Sequence, residues 1–266
     1  MTQEDIDSSQ APLLDHLIEL RQRLIYCVIG FFFAFIFSFY FAQNIFNALL
    51  WPYRWAQGDD SHLRLIYTAP QEYFFTQLKI GMFGALCITF PLIALQIYKF
   101  VAPGLYRNER QAFRPYLVFT PILFALGGAL VFFFVMPLAL KFFASFQQTG
   151  ENGQAVIELL PRVSEYLSLI MTLILAFGIC FQLPIILTLL GQVGILSSDQ
   201  LKSGRKFAIV GVFVLAAIFT PPDPFSQIGL ALPLLGLYEL SVWSVRIIEK
   251  RRLAADQARQ QLDQSA

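Results

Sequence analysis

The polar side chains able to do chemistry are few and fall in four places. Near the start, Leu13–Leu24 reads LLDHLIELRQRL, with apolar residues at 13, 14, 17, 20 and 24. Asp15, Glu19, Arg21 and Arg23 lie on or near the other side. That spacing makes an amphipathic helix, and a charged cap on an interfacial helix is its plainest reading. Farther on, FVAPGLYRNERQAFRP (Phe100–Pro115) sets an apolar and aromatic platform of Phe100, Leu105 and Tyr106 before a lone carboxylate, Glu109, flanked by Arg107 and Arg110. That acid is either half of an intraloop salt bridge or half of a receptor for a cationic ligand. Gln182 sits inside an apolar run beside Pro184. A buried amide there either bonds the carbonyl that Pro184 frees or faces protein and a water-filled cavity. Finally, TPPDPFSQ (Thr220–Gln227) is a short, stiff, acidic break between two apolar runs. It is either a plain hairpin turn or a working part.

Catalysis is poorly supplied. His16 and His62 lie outside the apolar runs, and no aspartate lies well inside one. There is no HExxH, GxSxG or P-loop. Cys27, Cys87 and Cys180 are far apart and all within apolar runs, which fits small buried or lipid-facing side chains and not a disulfide framework or a metal site. No enzyme, metal or cofactor is expected. The net charge of +1 gives no nucleic-acid footprint, and the acidic start MTQEDIDSSQ is unlike a cleavable signal peptide.

The elements that position these groups belong to a membrane. Of 266 residues, 56% are hydrophobic and only 14% charged, against about 25% charged in a soluble domain. Six apolar spans emerge, about 24–41, 74–98, 116–140, 166–190, 207–219 and 228–245. Lipid cannot satisfy free backbone groups, so each is a helix. Prolines 91, 121, 137, 184 and 233 fall within them and predict bends. The fold class is all-α and polytopic, a curved bundle of six transmembrane helices over 24–245, with segment 1–23 before it and tail 246–266 after it. The tail reads as a solvated helical extension. Glu239 and Lys79, near span ends, read as structural.

Fourteen lysines and arginines fall on the side shared by both termini, against Arg54, Arg64, Lys141 and Arg162 opposite. The positive-inside rule then puts both termini in the cytoplasm and TPPDPFSQ outside. Span five has 13 residues, about 20 Å of helix against a hydrocarbon core of about 30 Å. Thinning of the bilayer, packing against partners or recruitment of flanking residues relieves such a mismatch; in the last case Phe225 and its neighbours complete two ordinary spans.

HLIELRQRL, FVAPGLYRNER and TPPDPFSQ, in that order among six spans, resemble the TatC family of the twin-arginine protein translocase, from about Leu13 to Arg246. The resemblance implies a multi-pass inner-membrane receptor for folded proteins whose signal peptides carry paired arginines, driven by the proton-motive force. It assigns signal-peptide binding to Glu19, Arg21, Phe100, Leu105, Glu109 and Arg110. Two spaced carboxylates can each take an arginine fork, a geometry that separates arginine from lysine. It also implies single-span partners of the TatA and TatB kind, in a multimeric complex within lipid, docking at Thr220, Asp223 and Gln227 with Gln182 across from them. Many members of that family hold a glutamate where this chain has Gln182, and an amide cannot titrate. The alternative is a small-solute secondary transporter. It needs a polar midplane site, for which Gln182 alone is thin support, and no pair of matching interrupted segments supports an inverted repeat.

Overall fold

A computed structural model describes residues 3–58, 65–101, 114–149, 156–157, 159–220 and 223–265. The described residues are mostly helical, and the extended pairings among them are a two-residue antiparallel one of β1 (Gln148–Thr149) with β2 (Val156–Ile157) and an isolated parallel bridge between Ile66 and Arg162. Five helical stretches are long and apolar enough to cross a membrane: His16–Tyr40, Glu72–Phe100, Tyr116–Ala144, Val163–Val193 and Pro224–Arg251. The expected sixth is the helix Arg205–Phe219 of 15 residues, about 22 Å long and short of a typical hydrocarbon core. The chain is an all-α polytopic membrane protein.

Its helices are α1 (Gln3–Tyr40), α2 (Ala42–Leu49), α3 (Trp51–Gln57), α4 (Glu72–Val101), α5 (Arg114–Leu130), α6 (Met136–Ala144), α7 (Val163–Cys180), α8 (Leu183–Val193), α9 (Ser198–Ser203), α10 (Arg205–Phe219) and α11 (Pro224–Ser265). The five prolines within the spans act differently. Pro91, Pro121 and Pro233 lie inside continuous α-helix. Pro137 follows a π-helical turn, Val131–Val135, at whose end the Met136 N–H donates to Val131 O. A proline cannot donate to the carbonyl four residues back, and widening the preceding turn is one way to absorb that loss. Pro184 follows the break between α7 and α8. There the Phe181 N–H still reaches Phe177 O at 2.8 Å, whereas the Gln182 N–H falls back to Ile179 O at 2.9 Å.

The chain divides into two compact units. In the first, residues 1–46 and 74–121, α1 and α4 run antiparallel and close together. A Cβ on Gly30 would stand 2.7 Å from Leu92, one on Gly81 3.2 Å from Phe39, and one on Gly84 2.9 Å from the Ser38 hydroxyl. Small residues at such crossings let helices meet where lipid supplies no hydrophobic drive. Tyr98 and Thr120 share a hydroxyl–hydroxyl bond of 2.9 Å between α4 and α5.

The second unit comprises residues 47–73 and 122–266. Its centre is α7, whose Leu167, Ile170, Leu173 and Phe177 are fully buried. A Cβ on Gly127 would lie 2.7 Å from Phe177 O, so only glycine fits that approach. On the other side of the unit, Leu201, Tyr238, Val242 and Val245 form a buried cluster with Leu183, Leu187, Leu196 and Ala208 packed on it. Gly194, at φ 82°, closes α8 in the left-handed conformation, which glycine adopts at no steric cost. A reciprocal Ser197–Gln200 capping box then opens α9, with both orphan groups satisfied.

Candidate functional site

The first cluster of polar chemistry lies in the first unit, at the end of the α1–α4 pair. His16, Glu19 and Arg23 are spaced three and four apart, so they share one face of α1. Gln96 and Phe100, four apart on α4, share another. The Arg23 guanidinium donates through both Nε, at 3.1 Å, and Nη2 to Glu19 Oε1. Its Nη1 donates to Gln96 Oε1 at 3.3 Å. The His16 ring stacks on Phe100 with centroids 4.1 Å apart and 16° between planes, while His16 Nδ1 stands 3.8 Å from Glu19 Oε2. Glu19 keeps 33% of its side chain exposed. The arrangement is thus a solvent-reachable carboxylate with one oxygen held by a guanidinium and the other loosely faced by an imidazole. Arg21 is exposed. Leu105, Glu109 and Arg110 lie outside the described residues.

His16, Arg23 and Gln96 were not singled out from the sequence as site residues. For Arg23 a signal existed: a glutamate four residues before an arginine is the favourable orientation for a helical ion pair. Gln96 shares a face with Phe100, but nothing in the sequence says that α1 packs there.

The second cluster is the turn between α10 and α11. Asp223 precedes Pro224, the first residue of α11, and its Oδ1 accepts the Ser226 N–H at 2.7 Å. This is an N-cap followed by proline at N1, both favoured at helix starts. The cap begins α11 at Pro224, four residues before the span expected from hydropathy, and the helix runs to Ser265 without a break at 245. The helix before the turn, α10, is the short one, as expected of span five. The Thr220 hydroxyl donates to Ala216 O at 2.8 Å. Thr220, Asp223 and Ser226 are all buried, and Asp223 Oδ2 and the Ser226 hydroxyl have no hydrogen-bond partner among the described residues. Gln227 is half-buried. Phe225 packs against Phe142 of α6, with ring centroids 5.2 Å apart.

Gln182, also buried, donates from Nε2 to Gly178 O at 3.2 Å. The carbonyl freed by Pro184 is that of Cys180, so the amide does structural work at a neighbouring position. It serves the carbonyl left open when the Gln182 N–H shifts to Ile179.

Toward the other end of the second unit, Arg205 Nη2 donates to Glu239 at 2.7 Å. Glu249 accepts the Ser198 N–H at 2.8 Å and the Ser198 hydroxyl, tying α11 to the start of α9. An acid at a helix N-terminus suits the dipole there. Among the described residues no group of His, Cys, Asp and Glu could hold a metal ion.

The fold and these clusters define a polytopic helical membrane protein with polar groups near helix ends and, among the described residues, no assembled catalytic constellation. The family model for the Sec-independent protein translocase protein TatC matches residues 15–233. A TatC from Magnetococcus marinus is 45% identical over 94% of this chain and 89% of its own length. The Escherichia coli K12 TatC is 37% identical over 88% of each chain. A crystal structure of the twin-arginine translocase receptor TatC superposes with TM-score 0.75 at 37% identity, covering 88% of this chain and 99% of that one. The chain belongs to the TatC family. That membership removes the small-solute transporter alternative.

Proposed function

We propose that this chain is the receptor core of a twin-arginine translocase. It binds paired-arginine signal peptides of folded cargo at the cytoplasmic face and assembles single-span TatA- and TatB-type subunits for export driven by the proton-motive force. It does so as a multi-pass protein of the inner membrane with both termini in the cytoplasm, as the fourteen-to-four bias of basic residues supports. The observation that carries the proposal is the Glu19 carboxylate, part-exposed, faced by the His16 ring that stacks on Phe100, and already in bond with a guanidinium. A carboxylate that takes one arginine fork can take another. Glu109 supplies the second acid, and Arg21, Leu105 and Arg110 complete the receptor surface.

Partner helices dock at the α10–α11 turn through Thr220, Asp223 and Gln227, with Gln182 contributing. The shortness of α10 supports this, because a helix too short for the bilayer gains from a neighbour that shares the thinned region. The test is photo-crosslinking of a paired-arginine signal peptide to probes placed around Glu109, combined with Glu19→Ala plus Glu109→Ala. Loss of crosslinks and of export is expected. Unchanged binding and export in the double variant would sink the receptor assignment.

A further inference from the structure

We propose that Arg23 is a resident guanidinium that occupies the Glu19 carboxylate and so sets the selectivity of the site for arginine over lysine. The inference rests on the receptor function above and concerns how that site is regulated. Two donors of Arg23 converge on Glu19 Oε1 and a third reaches Gln96 Oε1, 73 positions along the chain, on α4. Among the described residues, the one ionic partner facing Glu19 Oε2 is His16 Nδ1, at 3.8 Å, beyond hydrogen-bond range. The carboxylate is therefore half taken and half open.

A guest that binds through Oε2 alone makes one bond and leaves the resident pair intact. A guest that grips both oxygens must take Oε1 from Arg23. A guanidinium can do this, because its planar fork matches the carboxylate and restores the bonds that Arg23 gives up. An ammonium carries its three donors on one nitrogen, without a planar fork, and so replaces the paired bonds of Arg23 less well. Competition with a built-in arginine thus adds to the intrinsic preference of a carboxylate for arginine.

The surroundings fit an exchange. Charge at Glu19 is unchanged when one guanidinium replaces another. The displaced side chain keeps a partner in Gln96, and the Arg23 side chain, 19% exposed, lies near enough to water to be rehydrated. The His16–Phe100 stack holds the two helix faces together meanwhile. Arg21, two residues away and exposed, has no such bond among the described residues, so the two arginines of LRQR have separate tasks. If Arg23 merely neutralised Glu19 or braced α1 on α4, removing it would weaken binding and leave selectivity alone.

The experiment measures the affinity of the purified full chain for a signal peptide with paired arginines and for the same peptide with paired lysines. Wild type, Arg23→Gln, Arg23→Lys and Glu19→Gln plus Glu109→Gln are compared. Arg23→Gln should bind both peptides more tightly and the lysine peptide disproportionately, lowering the arginine-to-lysine affinity ratio roughly tenfold, about 1.4 kcal/mol. Arg23→Lys keeps the charge but loses the fork, and should lower the ratio by less. If Arg23→Gln is too unstable to purify, Arg23→Lys alone decides by the same ratio. A ratio that is unchanged or raised, or weaker arginine-peptide binding in Arg23→Gln, overturns the inference. Retained binding in the double glutamate variant overturns the receptor function instead, so the two failures can be told apart.

Discussion

The α1–α4 cluster and the α10–α11 turn are both short groups of polar residues near the end of an apolar helix pair, yet they spend their polar atoms in opposite ways. At the first, Arg23 reaches another helix, Phe100 receives His16 across the same gap, and the central carboxylate stays one-third exposed. At the second, Thr220 bonds Ala216 and Asp223 bonds Ser226, each within four residues, and all three polar side chains are buried. Bonds across helices with water at hand can be exchanged for a ligand at little cost to the fold. Local bonds that finish helix ends cannot. On the proposed function the first cluster suits turnover of partners, and the second is first of all a joint.

The largest effect that would break this contrast is at Glu19. Glu19→Gln should weaken the paired-arginine peptide roughly tenfold to a hundredfold, the span of a hydrogen bond to a charged group. Its melting temperature should stay within about 2 °C of wild type, because an ion pair within reach of water contributes little stability. Titration calorimetry and a thermal-shift assay on the same preparation check both halves. A large loss of stability with peptide affinity intact would make the first cluster a joint as well.

Much of this was legible from the residues alone, and the limits follow from physics. Six apolar runs had to be helices, and five of them appear as membrane-length helices in the structure. Gln182 and Asp223 stood out because polar groups beside such runs are scarce. Their local bonds were harder to foresee. Proline content predicted bends at five places, but only Pro137 and Pro184 stand at interruptions of the α-helical ladder. Whether a helix absorbs a proline depends on what packs around it, which a single sequence does not show. The Asp-Pro pair that starts α11 is a readable N-cap signature, and hydropathy masked it by placing the span four residues later. The Arg23–Gln96 bond was invisible, since it depends on the antiparallel register of α1 and α4 that Gly30, Gly81 and Gly84 permit.

Asp223 comes next. Asp223→Ala removes the N-cap and should cost about 1 kcal/mol, as N-cap truncations do; Asp223→Asn keeps an acceptor and should cost a few tenths. Thermal unfolding in detergent reads the difference. Should Asp223→Ala leave stability untouched while abolishing association with TatA- or TatB-type subunits, the α10–α11 turn would be a binding site before it is a joint. Gln227→Leu sharpens the same point from the other side. Its half-buried amide closes no helix end, so stability should hold while co-purification of a single-span partner falls a few-fold, on the order of one neutral hydrogen bond. Undiminished co-purification would remove Gln227 from the docking surface.

The smallest effect tests what an exposed carboxylate does when its cation is merely local. Asp199 accepts from Lys202 Nζ at 2.8 Å, with no partner across helices among the described residues beyond the field of Arg246. The hydrogen bond from Lys202, and then that lysine's charge, hold the Asp199 carboxyl below its ordinary value of 3.8. A carboxylate depressed on folding adds stability that is fully present above its unfolded value and disappears as pH falls through the lower folded one. Asp199→Asn should therefore lower the melting temperature slightly at pH 6, with the gap to wild type closing as the pH is taken below 3.8. Solvent screens the pair, with Asp199 89% exposed, and so keeps the gap small. Peptide affinity should not move at all. If Asp199→Asn weakens the signal peptide as Glu19→Gln does, then an exposed carboxylate attracts a paired-arginine peptide by charge alone. The cross-helix geometry around Glu19 would then have no special part in recognition.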